Sequence, residues 1–204
     1  MPPISVKIPL DAIPPAGTGR DVLACAMTGS GKTAAFLLPI LQRLTPGPKH
    51  TLRALILVPT RELAEQVLAS ARAYGRHLHI TAAAIYGGVG MEPQTRTLKR
   101  GVDIVVATPG RLLDHMGRGH VDYSRLEVLV LDEADRMLDM GFAPDVRRIL
   151  DALPRARQTM FFSATISGDV DRLAQRALQG HASVEIGRRA TPADGVEHVI
   201  VGAL

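Results

Sequence analysis

The chain has one cysteine, no tryptophan and only four lysines among 204 residues. A single thiol cannot form an intrachain disulfide, so a disulfide-stapled fold is excluded. A chain of this length buries roughly 70% of its unfolded surface without such staples. Cys25, inside the apolar run 22–26, reads as a small buried hydrophobe. No apolar stretch approaches the roughly 20 residues of a membrane span. Met1 to Lys7 also lacks the continuous apolar centre of a signal peptide. A soluble, cytoplasmic protein is expected. Aromatic residues are 3% of the chain, too few for ring stacking to be a major binding contribution. Because lysine is scarce, 20 of the 24 basic residues are arginine, against 20 acids, for a net charge of +4. The planar arginine fork suits phosphate, which is compatible with a nucleic-acid partner and equally with a compositional habit of no functional meaning.

From residue 20 onward, short apolar runs alternate with stretches of helical period. The expected strands are 21–26, 53–58, 81–86, 103–107, 128–131, 158–162 and 183–186. They are mostly apolar throughout rather than alternating, as strands covered on both faces should be. The expected helices are 32–44, 61–74, 92–99, 111–116, 143–153 and 169–178; in the second, Leu63, Val67 and Ala71 share one stripe. Strand, crossover helix and strand in repetition predict a doubly wound α/β domain: a mainly parallel sheet with helices on both faces and ligands at the carboxyl ends of the strands. Residues 20–187 are expected to form it, after an atypical segment 1–19 whose Pro14 to Gly19 reads as a turn-rich connection. Residues 188–195 read as a linker. Val196 to Leu204 is either the first strand of a severed second domain or a last edge strand of this one.

The sharpest local signal is Thr28-Gly29-Ser30-Gly31-Lys32-Thr33, between an expected strand and an expected helix. Glycines there let backbone N–H groups turn toward a phosphate, the helix start adds positive dipole, Lys32 adds a point charge, and the Thr33 hydroxyl can ligate Mg²⁺. The strict pattern has glycine where Ala26 stands. One hundred residues after Lys32, an apolar strand ends on Asp132-Glu133-Ala134-Asp135. Asp132 is suited to hold Mg²⁺ through its water shell, and Glu133 to polarise an attacking water. Paired acids after a strand could instead cap a helix. Together with the phosphate loop they point to nucleoside triphosphate hydrolysis.

Asp-Glu-Ala-Asp is the wording of the DEAD-box ATP-dependent RNA helicases, and the chain resembles that family over nearly its whole length, most closely its bacterial members. Pro59-Thr60-Arg61-Glu62-Leu63-Ala64 resembles motif Ia, Gly87-Gly88 the paired-glycine motif, Thr108-Pro109-Gly110-Arg111 motif Ib, and Ser163-Ala164-Thr165 motif III. The resemblance implies the N-terminal RecA-like half of a two-domain motor, with ATP and Mg²⁺ as cofactors. Lys32 and Thr33 would bind phosphates and metal, Asp132 and Glu133 would serve metal and water, and Asp135 would contact Ser163 and Thr165 to couple hydrolysis to strand separation. Motifs Ia and Ib and the glycine pair would face the RNA backbone. Arg61 and Arg111 can grip phosphates and backbone N–H groups can donate to them, contacts that read no base and weaken with salt.

Two departures from the family pattern bear on activity. Aligning Ala12-Ile13-Pro14-Pro15 with the family's adenine-reading segment puts Ile8 at its isoleucine and Pro9 at its glutamine. Proline has neither side-chain amide nor N–H, so the paired hydrogen bonds that select adenine cannot form there. The second departure is that the partner domain, which supplies arginines to the ATP site and half of the RNA surface, would have to follow Leu204. Loss of an arginine finger costs about 10³ to 10⁵ in rate at related phosphoryl-transfer sites. The isolated chain is therefore expected to be monomeric, to bind Mg-nucleotide weakly, to hydrolyse ATP very poorly and not to unwind RNA. The alternatives are a non-catalytic RNA- or partner-binding module with a vestigial nucleotide site, and a DNA-directed motor, which the motif wording disfavours.

Overall fold

Seven short runs, six of them rich in Val, Ile, Leu and Ala and one carried by Met and Phe, form the strands β1 (Val22–Ala26), β2 (Ala54–Leu57), β3 (Ala82–Ile85), β4 (Ile104–Ala107), β5 (Val128–Leu131), β6 (Gln158–Ser163) and β7 (Ala182–Ile186). The computed structural model describes residues 7–27 and 29–186. Thr28, the expected linker 188–195 and the alternatives for 196–204 lie outside the described residues. The strands make one sheet in the order β3-β4-β2-β5-β6-β1-β7, with every pairing parallel. Ala54 of β2 stands opposite Ile104 on one side and Val128 on the other, so one register runs through the centre of the sheet.

Successive side chains of a strand point to opposite faces, and both faces are dry. Ala54, Ile56, Val130 and Phe162 belong to one core, Leu55, Leu57, Leu131 and Phe161 to the other. Helices α1 (Lys7–Gly17), α2 (Lys32–Leu44) and α3 (Arg61–Tyr74) cover the first face. Phe36 of α2 meets Phe162 with ring centroids 5.4 Å apart and planes at 58°, the tilted geometry that aromatic pairs favour. The other face is covered by α5 (Pro109–Gly117), α6 (Ala134–Asp139), α7 (Ala143–Ala152) and α8 (Gly168–Ala177), with Leu98 of α4 (Met91–Arg100) at its margin. The result is the doubly wound architecture expected, with all the strands parallel.

Two elements depart from the sequence reading. The connection expected at Pro14 to Gly19 is helical as far as Gly17, although Pro14 and Pro15 each lack the N–H of a regular helical bond. Burial of Ala12 and Ala16 outweighs that loss, and Gln158 Nε2 closes the helix end by donating to Ala16 O at 2.8 Å and Arg20 O at 2.7 Å. Because α1 packs on α2, β1 and β7, the boundary expected at residue 20 falls inside the folded unit. The second is α6, six residues too short to show a period, anchored by the fully buried Met137.

Candidate active site and phosphate-facing surface

Every motif segment follows a strand at its carboxyl end, and in a parallel sheet these ends share one edge. Strand order divides that edge into two halves. The adjacent strands β5, β6 and β1 carry Asp132 to Asp135, Ser163 to Thr165 and the glycine loop; the adjacent strands β3, β4 and β2 carry Gly87-Gly88, Thr108 to Arg111 and Pro59 to Arg61.

In the first half, Gly29 and Gly31 take φ of 78° and 90°, the left-handed region that side chains resist, so the chain can turn tightly into α2. Ser30 Oγ donates to Met27 O at 2.5 Å across this turn. The N–H groups of Ala34 and Ala35 return to Gly31 O, closing the first turn of α2. Lys32 is 6% exposed and its Nζ donates to Ala26 O at 2.9 Å, an anchor beneath the loop. A cleft of about 430 Å³ brings Gly29, Gly31, Lys32 and Thr33 together with Asp132 and Glu133, which sequence separates by a hundred residues. Leu63, Gln66, Ser70 and Tyr74 of α3 also line it; of these only Leu63 falls within a motif, and none carries a local signal of nucleotide contact.

Asp132 is 2% exposed. Burial pushes its carboxyl up to about 6; Lys32 pulls the other way, while Glu133 and Asp135 add to the rise. The neighbouring Glu133 has φ 51° and ψ 51°, a left-handed conformation costly for a side chain with Cβ and concentrated at functional sites. Asp132 Oδ1 accepts the Glu133 amide at 3.0 Å, and Arg136 Nη1 lies 3.2 Å from Glu133 Oε2, a partner whose i,i+3 spacing was readable in sequence. The set fits a small hard cation: a buried carboxylate and the Thr33 hydroxyl line one cleft, both oxygen donors. Among the described residues no group of three or more His, Cys, Asp or Glu could hold a metal. A cation here would thus need phosphate oxygens and water for most of its shell, the usual manner of Mg²⁺.

Asp135 bridges β5 and β6. Its Oδ2 accepts the amides of Ala164 and Thr165 at 3.1 Å each and the Thr165 hydroxyl at 3.2 Å, and its own amide donates to Ser163 Oγ at 3.3 Å. Ser163 Oγ in turn donates to Thr165 O at 2.7 Å. A displacement of the Asp132–Asp135 segment would therefore be felt at Ser163 to Thr165.

In the second half, Pro59 is buried and Thr60 caps α3, its hydroxyl accepting the Leu63 amide at 3.2 Å. The Arg61 side chain is 55% exposed. Gly87 and Gly88 are exposed, with Gly88 at φ 81°. Thr108 donates its amide to Ile85 O at 3.0 Å and precedes Pro109 at the first position of α5, where a missing N–H removes no helical bond. Gly110 follows half-buried. Arg111, expected to face RNA phosphates, is held by groups of the chain itself. Its side chain is only 12% exposed, Nη1 donates to Val89 O at 3.0 Å, and Nε lies 3.8 Å from Asp114. It ties the start of α5 to the residue that follows the glycine pair, a link between residues 22 apart that sequence does not show.

The sequence model of the DEAD/DEAH box helicases matches residues 7–173. The chain is 46% identical over 187 residues to the "Probable ATP-dependent RNA helicase ddx27" of Dictyostelium discoideum, covering 90% of this chain and 23% of that protein. It is 48% identical over 180 residues to the "ATP-dependent RNA helicase DeaD" of Escherichia coli, covering 88% and 28%. The chain thus spans about a quarter of the length of the curated relatives it matches. Among solved structures, a hypothetical ATP-dependent RNA helicase from Sulfolobus tokodaii superposes with TM-score 0.81 at 38% identity, over 89% of this chain and 53% of that one. A DEAD box protein from Methanococcus jannaschii gives 0.82 at 37%, over 88% and 49%. No helix among the described residues is long and apolar enough to cross a membrane. With a family model over most of its length and a fold shared with these proteins, the chain belongs to the DEAD/DEAH box helicase family.

Proposed function

We propose that residues 7–187 are the nucleotide-binding half of an ATP-dependent RNA helicase, which binds Mg-ATP in the cleft at the ends of β1 and β5 and the RNA backbone along the ends of β2, β3 and β4. The observation that carries the reading is the convergence of Lys32, Thr33, Asp132 and Glu133 on one cleft of nucleotide-phosphate size. Thr33 and Asp132 would hold Mg²⁺, which when bound neutralises phosphate charge. The loop amides and Lys32 would orient the β- and γ-phosphates, Lys32 leaving Ala26 O to do so. Glu133 would accept the proton of the water whose oxygen attacks the γ-phosphorus as the bond to the bridging oxygen breaks. Its fixed backbone and its Arg136 partner hold the carboxylate in place. Asp135 would transmit changes at this site to Ser163, Ala164 and Thr165.

On the other half, Thr60 and Thr108, with the exposed amides of Gly87 and Gly88, would meet phosphates, and Arg61 would supply the positive charge. A second RecA-like domain elsewhere in the full protein would complete both sites, so unwinding belongs to the whole protein. Pro9 lies on α1, and the adenine preference is expected to be weak. Titration calorimetry of this chain with ADP and GDP in the presence of Mg²⁺ tests the reading. The expected result is measurable binding of both, at least tenfold weaker in Lys32→Ala. Tight RNA binding with no nucleotide affinity would refute it and favour a vestigial nucleotide site.

A further inference from the structure

Tyr86 occupies the single position between the end of β3 and the Gly87-Gly88 turn, and it links that turn to α3 and α4. Its hydroxyl donates to Glu65 Oε1 at 2.5 Å, its ring lies under the Arg61 guanidinium with Cζ 5.8 Å from the centroid, and its carbonyl accepts from Gln94 Nε2 at 3.0 Å. Gln94 is itself only 8% exposed and reaches back from α4. Glu65 and Arg61 stand four residues apart on α3, so one helix face presents the carboxylate that holds the hydroxyl and the cation that lies on the ring. Hydrogen bonding to Glu65 raises the Tyr86 pKa, with burial and the Glu65 charge adding to it, so the phenol stays protonated and remains the donor.

Arg61 needs such a support. Its ion-pair partner is Glu62 at 3.9 Å, with side chains 55% and 73% exposed, an arrangement that fixes a long side chain poorly. The Tyr86 ring is within the range at which a guanidinium is attracted to an aromatic face. The turn beyond is held on both sides, by Gln94 at the Tyr86 carbonyl and by Arg111 at the Val89 carbonyl.

We infer that Tyr86 is a positioning residue: it fixes the Arg61 guanidinium beside the Gly87-Gly88 turn so that the two meet successive phosphates of one strand as a unit. This rests on the RNA reading above. A guanidinium already placed loses less freedom on binding, and the exposed cation–π range corresponds to roughly two- to fivefold in affinity.

The test uses the 204-residue chain, a fluorescein-labelled oligouridylate at low salt, and the Arg Nε–H resonances in solution. Tyr86→Leu should weaken RNA binding roughly two- to fivefold. Tyr86→Phe, which keeps the ring, should restore most of it. In an Arg61→Ala background Tyr86→Leu should add nothing. The Arg61 Nε–H resonance should carry a ring-current shift in the wild type and in Tyr86→Phe, and lose it in Tyr86→Leu. An equal loss in both backgrounds, or an unmoved Arg61 resonance, would overturn the proposal. If the wild-type chain binds no RNA, the RNA reading fails, while the resonance still decides whether Tyr86 places Arg61.

Discussion

Replacing Asp132 by asparagine should make the nucleotide-free chain more stable while removing its capacity to hold a cation. The carboxylate is 2% exposed, and burial lifts its pKa from 3.8 to about 6. Every tenfold change in a group's proton affinity is worth about 1.4 kcal/mol between its two protonation states. A raised folded-state pKa means that the folded chain binds more protons than the unfolded one between about pH 4 and 6, so this group's contribution improves as pH falls through 6. Above 6 the ionised form opposes folding by about 3 kcal/mol, and at pH 5 by roughly half of that. Asparagine mimics the neutral acid and keeps an oxygen for the Glu133 amide. Urea unfolding of wild type and Asp132→Asn at pH 7 and pH 5 measures the difference. The expected gain is up to about 3 kcal/mol at pH 7, shrinking toward about 1.5 at pH 5, with m unchanged. A variant no more stable than wild type at pH 7, or a gain that grows on acidification, would refute the reasoning. The same substitution should weaken Mg-nucleotide binding strongly.

Lys32→Ala should lower nucleotide affinity at least tenfold in calorimetric titration with ADP, and should also lower the melting temperature at pH 7, because the buried Asp132 carboxylate loses the cation that offsets its burial and Ala26 O loses its donor. Arg53→Met should destabilise by about 3 kcal/mol, read as a lower urea midpoint, since a side chain 5% exposed loses Glu127 at 2.6 Å and its hydrogen bonds to the carbonyls of Leu44 and Pro46, of which Leu44 keeps Lys49 as a donor. His115 is fully buried beside His120, with Nδ1 atoms 3.1 Å apart. Burial lowers its pKa below 6.5, helped by His120 and Arg111 and opposed by Asp114. Its neutral form contributes fully above pH 6.5, and stability is lost as pH falls below that value. His115→Asn should therefore flatten the acid limb of the stability curve between pH 7 and 5. This effect runs opposite to that of Asp132, so the two must be separated by comparing each variant with wild type.

How much of this was legible in sequence depended on the range of the interaction. Apolar runs such as 128–131 and 54–57 predict buried parallel strands because a strand covered on both faces needs no polar face. Helix α3 is readable to the residue, Arg61–Tyr74, because its apolar period is local. The phosphate loop and Asp132-Glu133 are equally local motifs. The helical state of Pro14 and Pro15 was not readable, since the local signal is a breaker and the deciding contribution is burial of Ala12 and Ala16 against distant elements. The inward turn of Arg111 and the triple attachment of Tyr86 were likewise hidden, because each depends on the order β3-β4-β2, in which chain neighbours are not always sheet neighbours.

Residue order alone therefore determined the α/β class, the phosphate-binding chemistry and the family wording, all properties written within a few residues of each motif. Tertiary structure alone decided that β1 and β5 flank β6, so that a lysine and a carboxylate a hundred residues apart share one cleft. It also decided which arginine faces solvent and which is tied to a loop carbonyl. Side-chain type sets what a group can do; only the packing of the chain around it sets whether the group is paired, buried or free to do it.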